Sequence, residues 1–433
     1  MTEEAQKKIR SLVEMAMSYV VEPQPLSVPA VPETLDALVE QLNSNLNING
    51  AAVAQTQQHG VEEAWDGEAF GVRLAGLGKL LSNDVTKATI ACKPPAEPKT
   101  VIGMVDALAE TCFRLAGFVD SIPVKVAGQT YKREIQILSN DIFLATAGLF
   151  NEFLDDKVEK VVQLQQQKLN TGSLQASSSP SSSSSRADYG ADTEKKDGYL
   201  VRTGIVWEAC EIFEKASRSN RQAVAKKWND MVSTMEDAIA EVQQMIDTND
   251  DKDGEVGGDE DEDEDEDDSG NESDDSWNND DKMTEEEKQL SIRANSLLKL
   301  TRLLFKKLQQ RCLDAEPSLV ITSSTSLTAA TPAAESTTTS SSTSASLKPS
   351  DLAMMWDQLY DRAKGIVALA DEIATSLYSP QVKATIVEHL QELSRKNHDC
   401  ILVGRLFIRG QAEHEKWMDM CEAQAKKILD TVV

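Results

Sequence analysis

The chain has no apolar run approaching the ~20 residues that a helix needs to cross a bilayer, so no helical membrane span is expected. Its opening residues, MTEEAQKKIRSLVEM, lack an apolar core behind a basic start, so no secretory signal is expected either. The four histidines, His59, His389, His398 and His414, are scattered, and none stands at zinc spacing from a cysteine. The six cysteines, Cys92, Cys112, Cys210, Cys312, Cys400 and Cys421, form no CxxC. Most fall on apolar helical faces, the pattern of reduced core thiols in a cytosolic or nuclear protein. There is no GxSxG, no HExxH and no nucleotide-binding glycine loop. Gly76-Leu77-Gly78-Lys79 ends like a phosphate loop, but the preceding glycine spacing is wrong and the segment sits inside a helical pattern. Together these absences predict a protein that is not an enzyme and that needs no cofactor or metal.

Positive charge is also short. The net charge is −28, and it is unevenly placed. Residues 247–281 hold twenty Asp or Glu against the single Lys252, leaving about −9 for the rest, an ordinary acidic surface. A nucleic-acid binder needs a basic footprint, so direct nucleic-acid contact is not expected, whereas a basic protein partner stays open.

At 433 residues the chain exceeds the size at which one core usually stops growing, and two domains are expected. Three segments are too polar to offset the entropy of ordering their backbone, ~1–2 kcal/mol per residue. They are the Ser-rich insert 170–202, the acidic stretch 247–282 and the Ser/Thr-rich insert 317–349. What lies between reads as helix. Thr284 to Glu316 opens with a capping box, Thr284 and Glu287, and places Lys306, Lys307 and Arg311 where the macrodipole favours cations. Ser219 and Gln222 suggest a second box ahead of a helix to Ile246, with Val224, Met231, Met235, Ala238, Val242 and Met245 at helical spacing. Thr203–Ala216 sets Val206, Cys210 and Phe213 on one stripe. Further helices are predicted over 2–20, 34–47, 62–91, 100–121, 131–168, 350–377, 381–408 and 411–432, with Pro94-Pro95, Pro98, Pro123, Pro349 and Pro380 near their ends. The only hint of extended chain is at Val124–Val126. The expected fold is all-α, two helical-bundle lobes with disordered linkers. The N-terminal lobe covers 60–247 and the C-terminal lobe 284–433, separated by the acidic linker 248–283, with residues 1–59 packed on one lobe.

Four short patterns resemble recognition motifs. Asn249 to Glu260, NDDKDGEVGGDE, has acids at calcium-loop positions three and five, Gly254 at six and Glu260 at twelve. No apolar helix follows Glu260, so unspecific calcium attraction fits better than an EF-hand. Leu290, Leu297 and Leu304 form a seven-residue ladder that stops at Arg311, which fits a bundle helix better than a zipper. Arg302-Leu303-Leu304-Phe305 resembles the Arg-x-Leu-Phe docking motif of cyclin partners, but Leu304 shares a face with Leu297 and Leu308 and is expected in the core. Ser269 and Ser273, followed by acids, resemble acid-directed kinase sites.

Thr203-Gly204-Ile205-Val206-Trp207-Glu208-Ala209-Cys210, with Ser219-Asn220-Arg221-Gln222-Ala223-Val224-Ala225-Lys226-Lys227-Trp228, resembles the cyclin-D-interacting (GCIP, cyclin-D-binding-protein-like) family. YKREIQILSNDIFLATAGLFNEFL at 131–154 and DEIATSLYSP at 371–380 resemble it too. The resemblance implies two bundled helical lobes, residence in cytoplasm and nucleus, and negative regulation of cell-cycle progression through cyclin D binding. It also implies association with helix-loop-helix proteins without DNA contact. It names no partner-binding residue, and oligomeric state stays open. Trp207 is expected to anchor the core of the N-terminal lobe. The competing expectation is an acidic chaperone for basic proteins such as histones, driven by residues 247–281.

Overall fold

The computed structural model describes residues 1–21, 65–170, 194–251, 283–315, 349–408 and 411–432. Every regular element among them is helical, as expected for an all-α chain. None of these helices is long and apolar enough to cross a membrane. The predicted helix 34–47, Ser269, Ser273, nearly all of the acidic stretch and calcium-like pattern, and residues 317–348 lie outside the described residues.

Two compact units are present, divided between Ala223 and Val224. The first contains α1 (Glu3–Ser18), α2 (Gly67–Cys92), α3 (Pro98–Asp120), α4 (Gln129–Asn151), α5 (Glu159–Asn170) and α6 (Glu194–Glu214). Five of these close a ring: α1 packs on α3, α3 on α2, α2 on α6, α6 on α4, and α4 back on α1, with α5 against α4. Each helix turns one apolar stripe inward. Ile9, Leu12 and Val13 come from α1, Leu74, Leu81 and Val85 from α2, Leu108, Cys112 and Leu115 from α3. Tyr131, Ile135, Phe143 and Phe150 of α4 and Val206, Cys210 and Phe213 of α6 complete the core.

Sequence-distant capping starts α4. The Asn220 side chain, 4% exposed, accepts a hydrogen bond from the Tyr131 N–H at 2.9 Å. It fits because Gly128, at φ +91°, has no Cβ; one placed there would fall 2.1 Å from Asn220. The same glycine ends the short helical turn Val124–Ala127, so the hint of extended chain at Val124–Val126 is corrected.

Other expectations shift for local reasons. The predicted helix 131–168 breaks after Asn151, whose side chain accepts from the Val158 N–H at 2.7 Å and folds the intervening turn. Helix α6 begins at Glu194, inside the segment expected to lack structure. Tertiary contacts recruit that turn: Tyr199 packs on Phe153 with ring centroids 5.7 Å apart, and Arg202 pairs with Glu152 at 2.8 Å.

The second unit contains most of α7 (Asn220–Asp251), then α8 (Glu285–Leu308), α9 (Pro349–Ser376), α10 (Lys383–Phe407) and α11 (Ala412–Asp430). The expected lobe boundary at 247 is therefore displaced. From Val224 onward the apolar face of α7 packs in the second core, where Trp228, Met235 and Val242 are buried with Leu297, Leu304 and Phe305 of α8. The two helices run antiparallel. Trp228 Nε1 donates to the Phe305 carbonyl at 3.1 Å, and Gln243 Oε1 accepts from Asn295 at 3.0 Å and Lys299 at 2.8 Å.

The Thr284–Glu287 capping box forms in both directions. The Ser219–Gln222 box forms only by half: Ser219 Oγ accepts from the Gln222 N–H at 3.3 Å, but Gln222 Oε1 accepts from Arg218 N–H at 2.7 Å. Helix α8 ends in a π-helical turn, Gln309–Asp314, which leaves the Cys312 carbonyl to accept from Trp356 Nε1 at 3.1 Å.

Candidate functional site

Helix α6 is apolar on more sides than its core position requires. Thr203, Val206, Cys210 and Phe213 face inward and are buried. Leu200, Val201, Ile205, Trp207 and Ile212 are exposed, Val201 by 67% and Trp207 by 47%. These outward apolar residues flank the exposed acids Glu208 and Glu211, and apolar area left exposed in this way is a candidate docking surface.

The expectation that Trp207 anchors the core is overturned. Val206 takes the inward direction, and the next residue lies about 100° further round the helix. The indole instead rests at the surface of α2, where Nε1 donates to Thr86 Oγ1 at 3.0 Å. Thr86 in turn donates to the Ser82 carbonyl at 2.8 Å. The half-exposed ring thus has its polar atom satisfied and its position fixed. The fully buried tryptophan of this sequence motif is Trp228, in the second unit.

The outer face of α2 continues this surface. Val72, Gly76, Leu80, Asn83 and Ile90 recur at helical spacing and are exposed. Arg73, Lys79, Lys87 and, just past the helix end, Lys93 stand among them, also exposed. The acid Asp84 turns inward, accepting from the Thr111 hydroxyl at 2.8 Å. Lys79 and Lys87 reach Glu214 and Asp84 only at 3.8 Å each, with their side chains 72% and 55% exposed. Such contacts in high dielectric leave the lysines largely free. A chain of net charge −28 therefore presents one helix face, Val72 to Ile90, whose exposed charges are all positive. Gly78, which the sequence placed in a phosphate-loop-like string, lets α6 approach: a Cβ there would lie 3.4 Å from Phe213. Sequence reasoning missed this face. Spacing alone could not find it: Asp84 stands four residues after Leu80 and eleven after Arg73, on the same side of α2, and its bond to Thr111 is what turns it inward.

In the second unit, a half-open groove of about 390 Å³ lies between α8, α10 and α11, with Leu300, Leu304, Ile401 and Leu429 among its lining. His398 Nδ1 pairs with Glu422 at 2.7 Å beside it, and Arg405 joins Glu422 at 2.8 Å and Asp419 at 2.7 Å. The cyclin-like string on α8 is not accessible as a motif. Leu304 and Phe305 are buried, while Arg302 sits 3.5 Å from Glu236, which Lys306 reaches at 2.7 Å. The leucine ladder, Leu290, Leu297 and Leu304, is likewise consumed by the bundle core.

The six cysteines are free and buried. Burial pushes the thiols of Cys92, Cys112 and Cys210 up to about 12 and that of Cys421 up to about 11, and raises Cys312 and Cys400 as well. Such thiols are packing groups rather than nucleophiles. Among the described residues no group of three or more His, Cys, Asp or Glu stands close enough to hold a metal.

The family model described as Grap2 and cyclin-D-interacting, N-terminal, matches residues 73–248, and the C-terminal model of the same description matches residues 259–400. The chain is similar to the Cyclin-D1-binding protein 1 homolog of Danio rerio, 25% identical over 228 residues, which are 50% of this chain and 55% of that protein. It is also similar to the Cyclin-D1-binding protein 1 homolog of Xenopus laevis, 24% identical over 184 residues, 42% of this chain and 45% of that protein. The chain spans about half the length of the curated relatives it matches.

Proposed function

Because the chain belongs to the Grap2 and cyclin-D-interacting family, we propose that it is a non-enzymatic helical regulator whose partner is a D-type cyclin. By holding that partner it restrains cell-cycle progression, acting in cytoplasm and nucleus, and helix-loop-helix proteins are a second class it engages. The observation that carries the reading is the match to both family models across the two helical halves. The burial of Leu304 and Phe305 adds a mechanistic constraint. Extracting them as an extended motif would forfeit about 1.5–3 kcal/mol for each side chain and break helical hydrogen bonds around them. The partner therefore meets intact helical faces whose side chains are already ordered, the cheaper mode of recognition.

The test mixes purified chain with a purified D-type cyclin and measures affinity by calorimetry. Saturable binding that survives deletion of residues 252–282 supports the reading. The twenty acids of residues 247–281 motivate the alternative, a chaperone for basic proteins. Under that alternative the same deletion abolishes binding of histones, and salt dependence disappears with it. No cyclin binding by the intact chain refutes the first reading.

A further inference from the structure

We propose that the outer face of α2, together with Trp207 of α6, docks an acidic amphipathic helix of a partner protein. The proposal deepens the reading above and rests on it only for the partner being a protein. Three features meet on this face. Ile90 and Trp207 supply exposed apolar area on two adjacent helices, and Trp207 is pinned through its 3.0 Å bond to Thr86. An aromatic ring held in place loses little entropy on binding, which is why such residues dominate interface energetics. On α2 the charges among these groups, Arg73, Lys79, Lys87 and Lys93, share one sign, opposite to the chain's net charge, while on α6 the exposed Glu208 and Glu211 border Trp207 and Glu211 is paired with Lys215 at 2.7 Å. A face of that sign repels basic partners and steers acidic ones. Finally, at Gly76 and Gly204 a Cβ would meet nothing within 4 Å, so no internal packing calls for glycine there. Each costs about 0.5–1 kcal/mol relative to Ala in a helix. Close approach by an incoming backbone would use both, although Gly103 and Gly117 on α3 are equally open. Val72 to Ile90 spans about 27 Å at 1.5 Å per residue, the length of a five-turn helix.

The partner segment therefore lays Leu- or Ile-like side chains along Val72, Leu80, Ile90 and Trp207. Its Glu or Asp side chains reach Arg73, Lys79 and Lys87. Nucleic acid would also be drawn to cations, but it offers no apolar stripe to match these residues.

The test uses the full chain and three labelled probes followed by fluorescence anisotropy. The first is a synthetic helix of about 18 residues, matching the face in length, with Leu at i, i+3, i+4 and i+7 spacing and Glu elsewhere. The second has the same leucines with Lys for Glu, and the third is single-stranded DNA of similar length. The expected result is binding of the Glu peptide only, weakened by salt. Trp207→Ala should weaken it about 30-fold, the scale of an aromatic hot spot. The pair Lys79→Glu with Lys87→Glu should weaken it about tenfold, while Lys427→Glu on the second unit leaves it unchanged. The lysine variants alter exposed residues and keep the test independent of folding. Equal binding of both peptides, preferential binding of DNA, or indifference to the variants overturns the proposal. A large gain in peptide affinity on deleting residues 252–282 also overturns it, by making the chain's own acidic stretch the occupant. If the variants abolish peptide binding while the wild-type chain fails to bind a cyclin, the docking face stands and the cyclin reading falls. If the variants bind both cyclin and the Glu peptide as well as wild type, the cyclin reading stands and the docking face falls.

Discussion

Replacing Trp228 by Ala should unfold the protein far more readily than replacing Trp207, although both lie in segments that the sequence marks equally. Trp228 is fully buried, packs on Phe305 with ring centroids 5.1 Å apart, and donates to the Phe305 carbonyl at 3.1 Å. Its removal leaves a cavity the size of an indole and a buried carbonyl without that donor. The expected cost is about 4–5 kcal/mol, the upper end for large aromatics. Trp207 keeps 47% of its surface in water, and a cavity beside it would fill with solvent. Its loss should cost about 1–2 kcal/mol, from partial burial and one exposed hydrogen bond. At 2–4 °C per kcal/mol for units of this size, Tm should fall by roughly 8–20 °C for Trp228→Ala and roughly 2–8 °C for Trp207→Ala. Circular dichroism at 222 nm during a thermal ramp, repeated with urea, reads both. Equal losses, or a larger loss for Trp207→Ala, would refute the assignment of one indole to the core and the other to the surface.

Asn220→Ala should lower stability by about 1–2 kcal/mol in urea unfolding, because it uncaps α4 at Tyr131. Gly128→Ala should cost at least as much, since the new Cβ strains φ +91° and collides with Asn220; no change in the urea midpoint would contradict this packing. The Glu287 carboxyl is held below the usual Glu range, chiefly by the Gln381 backbone N–H and then by that of Thr284. A depressed folded pKa gives stability that is present above the unfolded value and lost as pH falls through the folded one. Tm should therefore drop below about pH 4, and Glu287→Gln should flatten part of that drop. All six thiols should resist a disulfide reagent in the native state and react together in denaturant, and rapid labelling of any native thiol would contradict their burial.

Much of the fold was legible because helix caps and apolar periodicity are local signals. The Thr284–Glu287 box and the ladder Leu290, Leu297, Leu304 define α8 and its buried face through local spacing alone. What escaped was decided elsewhere in the chain. The start of α6 opens on the charged run Glu194–Asp197, and the contacts that hold the turn before Thr203, from Phe153 and Glu152, lie far off in sequence. The unit boundary lies inside α7, whose periodicity continues unbroken from Ala223 to Val224 while the core it feeds changes. Trp207 was misread because α6 carries apolar residues on several sides, and periodicity cannot say which side faces in. The same ambiguity hid the docking face, which becomes visible only when exposure separates Trp207 and Ile90 from Val206 and Val85.

The most direct test of protein binding through intact helical faces is calorimetric titration of a D-type cyclin into the wild-type chain, Arg302→Ala and Trp207→Ala, each checked for Tm. The account predicts saturable binding by wild type, unchanged binding by Arg302→Ala, and markedly weaker binding by Trp207→Ala that remains folded. Absence of binding by wild type, or loss of binding in Arg302→Ala at unchanged Tm, would contradict it.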